Sequence, residues 1–522
     1  MVWVVENNCR MKEKIYITNT LTHSFLFFLL LLLCNVFGIK SLAKDNKKPN
    51  ILFVLTDDQA PWAFSASGDP NAITPNMDKL AKNGAVFRNA FTTTPVCSPS
   101  RVSIMTGRYA SEYGIYDFIV SPTHSSLTYD PTYNAGLDPE SVTFAEVLQK
   151  AGYKTGLVGK WHLGDWTTEG DKKYHPTNHG FDYFMGLIGG GVSTGDPELE
   201  VEGELRKIEG LTTDILADYA IKFIKDNSAD NFLLCLNTRA PHARWLPVSE
   251  SDWAPFENMD PILPNPGYPD LDIEKTKRLT REYLASTRGM DRNLGRVIDV
   301  LEELGLLKNT IIIFFSDNGY NMGHNGIEHK GNGKWITKTK PDHTENIKKG
   351  YRPNLYDNSL KVPAFVYWEG VVKPGTVIDN TVSVLDLYPT IVEIAGAELP
   401  DPKQHIIRGK SFLPLIKGTK MDNWNNDFYS EYSMINYATA FLRSYRTPKW
   451  KLVRDFMDPS RDELYHIALD PEENINLINY SSDEIKGVVD SLHQKILEQM
   501  EKINDPLLNE IHVDREYYKK SR

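Results

Sequence analysis

The sequence predicts an α/β fold: a large, mostly parallel sheet flanked by helices, followed by a smaller C-terminal α+β domain with an antiparallel sheet. Three observations predict it. Asn50–Leu55 and Thr310–Phe315 are unbroken apolar runs, the mark of strands buried on both faces. Helix-period segments alternate with such runs, which implies parallel strands joined by crossovers. Near residue 420 the alternation gives way to short hairpin-like strands.

The length of 522 residues allows more than one domain, and 41% hydrophobic with 24% charged residues excludes a disordered or collagen-like chain. The net charge of −11 argues against a general nucleic-acid binder, which needs a basic footprint.

In order, residues 1–43 read as a signal peptide. Met11-Lys12-Glu13-Lys14 is its charged start, Phe25–Phe37 an apolar core too short for a comfortable span, and Ser41-Leu42-Ala43 the cleavage site. A lipoprotein anchored at Cys34, with Leu33 before it, and an uncleaved anchor are the rivals. No later stretch is long and apolar enough to span a bilayer. Residues 44–420 form the expected catalytic domain and 421–522 the C-terminal subdomain. After cleavage only Cys97 and Cys235 remain. They pair, or Cys235 is a small buried hydrophobe in its apolar run and Cys97 has a chemical role.

Asn50–Leu55 is the first strand. Thr74 and Pro75 open a helix as cap and first residue, running to Asn83-Gly84. Ala85–Phe87 is a strand that leads to a rigid polar turn, Cys97-Ser98-Pro99-Ser100-Arg101, with helix beginning at Val102. Thr143–Ala151 is a helix closed by Gly152, and Tyr153–Val158 a strand running into Gly159-Lys160-Trp161-His162. Leu211–Asn227 is helical, and Phe232–Leu236 is a strand ending at Ala240-Pro241-His242. Glu274–Leu304 is a long amphipathic helix. Thr310–Phe315 ends at Ser316-Asp317-Asn318-Gly319, and residues 320–355 read as a long functional loop. Val362–Tyr367 is a strand and Val384–Ala395 a helix. Ala440–Tyr445, Lys451–Arg454 and Glu463–His466 are hairpin strands, and Ile485–Ile503 is the last helix.

Four strands thus end in polar groups: Asp57 and Asp58, Lys160 and His162, His242, and Asp317 and Asn318. Open α/β sheets bind ligands at the carboxyl ends of strands, so one sheet edge would gather them. Asp57, Asp58, Asp317 and Asn318 offer only oxygen, which favours Ca²⁺ or Mg²⁺ over zinc. Arg101, Lys160, His162, His242 and a later lysine would then hold an oxyanion, sulfate or phosphate. A soft thiolate suits a hard metal poorly, which argues against Cys97 acting as a thiol.

With these motifs in hand, the chain resembles the formylglycine-dependent type I sulfatases of the alkaline phosphatase superfamily. Cys97-Ser98-Pro99-Ser100-Arg101 matches that family's Cys-x-Pro-x-Arg signature, and Thr106-Gly107-Arg108 continues it. Thr56-Asp57-Asp58, Gly159–Gly164, Ala240-Pro241-His242 and Ser316–Gly319 follow in the family's order. Glu463-Leu464-Tyr465 and Asp470-Pro471-Glu472-Glu473-Asn474 resemble its C-terminal domain. The resemblance implies oxidation of Cys97 to formylglycine by a formylglycine-generating or an anaerobic sulfatase-maturing enzyme. One oxygen of the hydrated aldehyde attacks sulfur and displaces the alcohol, and the other hydroxyl then expels sulfate. Asp57, Asp58, Asp317, Asn318 and the modified Cys97 would hold Ca²⁺, with Mg²⁺ second. Arg101 would position the diol, Lys160 and Lys330 would bind sulfate, His162 would assist the hydroxyl, and His242 would protonate the leaving oxygen. Arg352 is the alternative to Lys330, by its offset from Tyr356.

The expected substrate is a sulfated carbohydrate met outside the cytoplasm, in the periplasm or after secretion. Trp62, Trp166, Trp245, Trp253, Tyr268 and Trp335 are candidates to stack on sugars or to pack loops, and His324, His329 and Arg352 to tune specificity. The alternatives are a phosphodiesterase or phosphonate hydrolase of the same superfamily, and a non-catalytic carbohydrate-binding relative.

Overall fold

The computed structural model describes residues 48–120, 136–164, 172–340, 347 and 350–510. The expected signal segment, Cys34 and Trp166 lie outside the described residues. Among the described residues no helix is long and apolar enough to cross a membrane.

The strands, in chain order, begin with β1 (Asn50–Thr56), β2 (Ala85–Phe87), β3 (Ala90–Phe91), β4 (Lys154–Lys160), β5 (Tyr183–Leu187), β6 (Glu198–Val201) and β7 (Glu204–Lys207). Next come β8 (Phe232–Asn237), β9 (Thr310–Ser316), β10 (Ile327–Glu328), β11 (Asn332–Trp335), β12 (Tyr351–Pro353), β13 (Phe365–Tyr367), β14 (Thr376–Ile378) and β15 (Val382–Ser383). The C-terminal part carries β16 (Phe428–Met434), β17 (Ala440–Arg446), β18 (Lys451–Asp455) and β19 (Glu463–Tyr465).

Ten strands form the large sheet, in the order β14-β2-β13-β9-β1-β8-β4-β5-β6-β7. Its centre is parallel: β1 runs alongside both β8 and β9, and β4 alongside β8 and β5. Every residue of β1, β8 and β9 is buried, as expected for strands covered by helices on both faces. One apolar layer includes Phe53, Phe144, Leu157 and Tyr388, the other Leu52, Val54, Phe223 and Leu294. The long helix Ile273–Glu303 covers the second layer with Met290, Leu294, Val297, Ile298 and Leu301.

The smaller sheet is antiparallel, in the order β16-β17-β18-β19. The helix Asp483–Lys502 lays Leu492, Ile496 and Met500 into the same cluster as Leu452 and Leu464.

Several local expectations need correction. Cys97 does not lie in a turn that precedes a helix; it is the first residue of the helix Cys97–Thr106, all of whose residues are buried. A helix buried on every side shows no amphipathic period. Thr74 precedes Pro75 but does not cap it, because its hydroxyl is engaged with Ser65 and Asp78. Residues 320–355 are not a plain loop, since β10, β11 and β12 form a small antiparallel sheet there. Cys97 and Cys235 are both free, and Cys235 is wholly buried in β8.

Candidate active site

Because β9, β1, β8 and β4 are neighbours and parallel, their carboxyl ends open onto one edge. Asp57 and Asp58 leave β1, Lys160 ends β4, His242 follows β8, and Asp317 and Asn318 leave β9. The close approach of β4 to β8 depends on Gly159. Its φ of +111° and the carbonyl of Asn237, 1.9 Å from where a Cβ would sit, leave room only for glycine. Asp58 (φ 68°), His162 (φ 57°) and His329 (φ 69°) also take the left-handed conformation, an uncommon state for side chains with a Cβ.

The helix Cys97–Thr106 sets its first turn against this edge. Ser100 Oγ donates to the Asp317 carbonyl at 2.5 Å, and Arg101 holds Asp317 Oδ2 at 2.9 and 3.0 Å through Nη2 and Nε. Arg101 Nη1 donates to the Lys160 carbonyl at 2.7 Å. The guanidinium thereby ties the end of β4 to the end of β9. Cys97 Sγ lies 3.6 Å from Asp57 Oδ1 and 3.0 Å from Lys330 Nζ. Lys160 Nζ donates to Asp57 Oδ2 at 2.6 Å, and Lys330 Nζ is ion-paired with Asp58.

Three buried carboxylates, Asp57, Asp58 and Asp317, bring oxygens within 4.8 Å of one another. Burial alone would raise all three. At Asp57 the charges of Lys160, His242, Arg101 and Lys330 outweigh burial and hold the carboxyl well below its usual range. Asp58 is lowered in the same way, chiefly by Lys330. At Asp317 burial and the charge of Asp57 win, and its carboxyl is pushed up to about 6. Burial lifts the Cys97 thiol to about 11 despite Lys160 and Lys330, so it stays protonated and is a poor nucleophile.

The donor set fits a hard cation. Asn318 donates its Nδ2 to Asp58 Oδ1 at 2.8 Å, while its buried Oδ1 has no partner among the described residues. An orphaned amide oxygen beside three carboxylates is the donor set that Ca²⁺ and Mg²⁺ take. Lys330, against Asp58, supplies positive charge to that same cluster.

The two histidines are held neutral. Burial, reinforced by Lys160, lowers His162 well below its usual value, and burial lowers His242 to about 4. His162 Nε2 meets the Ile119 carbonyl at 3.0 Å as donor, leaving a buried Nδ1 with no partner among the described residues. His242 Nδ1 donates to the Ala243 carbonyl at 2.7 Å, which leaves Nε2 3.9 Å from Asp58 Oδ2.

Cys97, Asp58, His162, His242 and Lys330 line a cavity of about 410 Å³, with Phe118, Ile119, Val120, His329, Asn332, Lys334 and Tyr437 also on its wall. Of the two candidate sulfate cations, Lys330 faces Cys97. Arg352 is instead ion-paired with Glu463 and lies over the Tyr356 ring. His329 lines the cavity, but His324 pairs with Glu472 at 3.3 Å and packs against Trp62. Trp62, Trp245, Trp253, Tyr268 and Trp335 pack into apolar clusters of the body and do not line the cavity. Phe118 and Tyr437 take the aromatic positions there. Both sit in irregular segments with no periodic signal, so only the folded chain brings them in.

A family model described as Sulfatase matches residues 49–397, well over half of the chain. This chain belongs to the sulfatase family. As a sulfatase it is a sulfuric ester hydrolase, built on the family's large mixed sheet and smaller antiparallel domain. A second model, described as N-sulphoglucosamine sulphohydrolase, C-terminal, matches residues 351–502. Among curated sulfatases, N-acetylglucosamine-6-O-sulfatase of Bacteroides thetaiotaomicron is 26% identical, covering 83% of this chain and 83% of its own length. Steryl-sulfatase of Rattus norvegicus is 27% identical over 79% of this chain and 77% of its own. The solved structure of BT4656 in complex with its substrate, D-glucosamine-2-N,6-O-disulfate, superposes with a TM-score of 0.72. It is 24% identical and covers 88% of this chain and 99% of its own, a likeness of fold.

Proposed function

We propose that this sulfatase is exported and releases sulfate from a sulfated carbohydrate, using a formylglycine made from Cys97 and a bound Ca²⁺. The observation that carries the mechanism is the setting of Cys97. Its thiol is held protonated by burial, yet it faces three carboxylates and two lysines at the floor of a cavity. A nucleophile is wanted there, and the unmodified side chain does not supply one. Formylglycine would supply an oxygen nucleophile, and Ca²⁺ held by Asp57, Asp58, Asp317 and Asn318 would polarise it.

The remaining work falls to this chain's own side chains. Arg101, locked onto Asp317 and the Lys160 carbonyl, fixes the first turn of the helix and so the position of residue 97. Lys160 and Lys330 converge on Cys97 from opposite carboxylates and would neutralise a sulfate group bound above it. The unpartnered Nδ1 of His162 is an acceptor for a hydroxyl proton at residue 97. His242 keeps Nδ1–H on a carbonyl. A bound sulfate ester brings negative charge beside Nε2, raises its basicity, and lets it carry the proton that the leaving alcohol needs.

A sugar substrate is supported by the relative that acts on N-acetylglucosamine 6-O-sulfate and by a cavity wall of hydrogen-bonding groups next to Phe118 and Tyr437. Export is supported by the apolar segment Phe25–Phe37 and the small residues Ser41 and Ala43.

The test begins with mass spectrometry of the Cys97 peptide from active protein. Conversion of thiol to aldehyde lowers its mass, and an unmodified thiol in active enzyme would refute the mechanism. The active protein is then offered 4-nitrophenyl sulfate, an aryl phosphodiester, steryl sulfate and a panel of sulfated sugars. Preference for the phosphodiester or the steroid would overturn the substrate reading, as would full sulfate release by Cys97→Ala for the mechanism.

A further inference from the structure

β11 alternates in the way a strand must, and its two faces have different fates. Gly333 and Trp335 turn toward the body. A Cβ on Gly333 would stand 3.0 Å from Ile327 Cδ1, and Trp335 packs on the cluster of Ile327, Tyr356 and Tyr465. Asn332 and Lys334 turn the other way and line the cavity beside Cys97. Neither is accounted for by sulfate binding at residue 97, and the one packing contact of Lys334 that bears on its charge is with the Tyr351 ring.

Asn332 Oδ1 is shielded from solvent and has no hydrogen-bond partner among the described residues. Lys334 makes no ion pair among the described residues. Glu328, opposite it in the ladder, directs its carboxylate to Lys275 at 3.1 Å. Lys334 Nζ rests 5.5 Å from the centre of the Tyr351 ring. Tyr351 stacks on Tyr437 at 5.4 Å, and Tyr437 meets Phe118 at 5.5 Å, so an aromatic wall continues from the lysine into the cavity. The four-residue step from Lys330 to Lys334 spans at most ~13 Å of extended chain. That is the scale of one hexose ring with its substituents.

We infer that Asn332 and Lys334 form a subsite for a second anionic group on the substrate, a sulfate or carboxylate borne by the same sugar whose ester is cleaved at residue 97. The inference rests on the carbohydrate reading above and narrows it to a doubly anionic sugar. Around Cys97 the carboxylates of Asp57, Asp58 and Asp317 are matched by Lys160, Lys330 and Arg101; Lys334, on the cavity wall, adds a cation that makes no ion pair among the described residues. A charged acceptor on the substrate would satisfy it, and Asn332 Oδ1 would accept from an N–H or O–H on the same ring.

Affinity is measured by calorimetry in a Cys97→Ala background, so that no probe is consumed. The probes are D-glucosamine-2-N,6-O-disulfate, D-glucosamine-6-O-sulfate and N-acetylglucosamine-6-O-sulfate. The disulfate is expected to bind at least tenfold more tightly than either monosulfate. Lys334→Met should bring the three within about twofold, and Lys334→Arg should keep most of the preference. Equal affinity for all three sugars, binding of none, or a preference that survives Lys334→Met overturns the subsite. Failure of the unsubstituted mature protein to hydrolyse any sulfate ester counts against the proposed function alone, because the binding comparison does not depend on turnover.

Discussion

Asp505→Ala should loosen the C-terminal helix without touching the chemistry. Arg443 on β17 and Asp505, just beyond the helix Asp483–Lys502, are both buried and meet through two hydrogen bonds of 2.6 and 3.1 Å. Removing the carboxylate leaves the guanidinium with Ser433 Oγ and the Leu442 carbonyl, and with Glu431 as a nearby charge. Breaking one side of a buried pair costs about 3–5 kcal/mol, whereas replacing both sides by apolar groups is often close to neutral. At 1.36 kcal/mol per factor of ten, local opening of the helix should become roughly 150- to 5,000-fold more frequent. Hydrogen exchange followed by mass spectrometry on peptides spanning 483–502 reads this directly. The double variant Arg443→Met/Asp505→Leu should recover most of the protection. Exchange in Asp505→Ala within threefold of the parent, or a double variant no better than the single, would refute the reasoning. Hydrolysis of 4-nitrophenyl sulfate by the folded fraction should change by less than twofold.

Gly159→Ala should cost at least ~3 kcal/mol, from a strained φ together with a Cβ forced onto the Asn237 carbonyl, and should appear as a clear fall in melting temperature. A melt unchanged within 1 °C, on the order of tenths of a kcal/mol, would mean that β4 and β8 separate freely. Added CaCl₂ at a hundred times its Kd should stabilise the protein by about 2.7 kcal/mol. EDTA should abolish activity, and Asp317→Asn should remove the calcium-dependent shift in melting. Asp291, which receives the N–H groups of Asn76 and Met77 at the start of the helix Pro75–Lys82, has its carboxyl raised by burial to about 6. A raised carboxyl binds its proton more readily in the folded than in the unfolded chain. Its contribution is therefore present below about pH 4 and is lost as pH rises through 6. Asp291→Asn should flatten that part of the stability–pH curve, and a change in urea-unfolding free energy between pH 4 and 6 equal to the parent's would contradict it.

The central strands were legible because each is an apolar run ending in polar groups, and a parallel sheet requires both features. The same logic brought Asp57, Asp58, Lys160, His242, Asp317 and Asn318 to one edge from sequence alone. Reading failed where the signal is not local. The helix at Cys97 is buried on all sides and carries Pro99 with several small polar residues, so it has the look of a turn. β5, β6 and β7 are short, and β7 is exposed along its length, so no apolar run marks it. β16 alternates only weakly, as Phe-Tyr-Ser-Glu-Tyr-Ser-Met, because its polar side chains are satisfied by partners far away, such as Glu431 by Ser111. Phe118 and Tyr437 reach the cavity from segments more than 300 residues apart. Nothing in their immediate neighbours marks them, whereas Trp62 and Trp245, conspicuous in the sequence, pack into the body.

The burial of Cys97-Ser98-Pro99-Ser100-Arg101 within a helix imposes a schedule. All five of these residues are buried, and Arg101 is clamped to two strands. A maturation enzyme that reads the pentapeptide as an extended ligand has no access to it once the sheet has closed. On the proposed formylglycine mechanism, oxidation would have to win a race against folding, and a molecule that lost the race would be sealed in its thiol form. The specific activity of a preparation would then record the timing of synthesis and maturation, and lengthening the contact between the enzyme and the folded protein would not improve it.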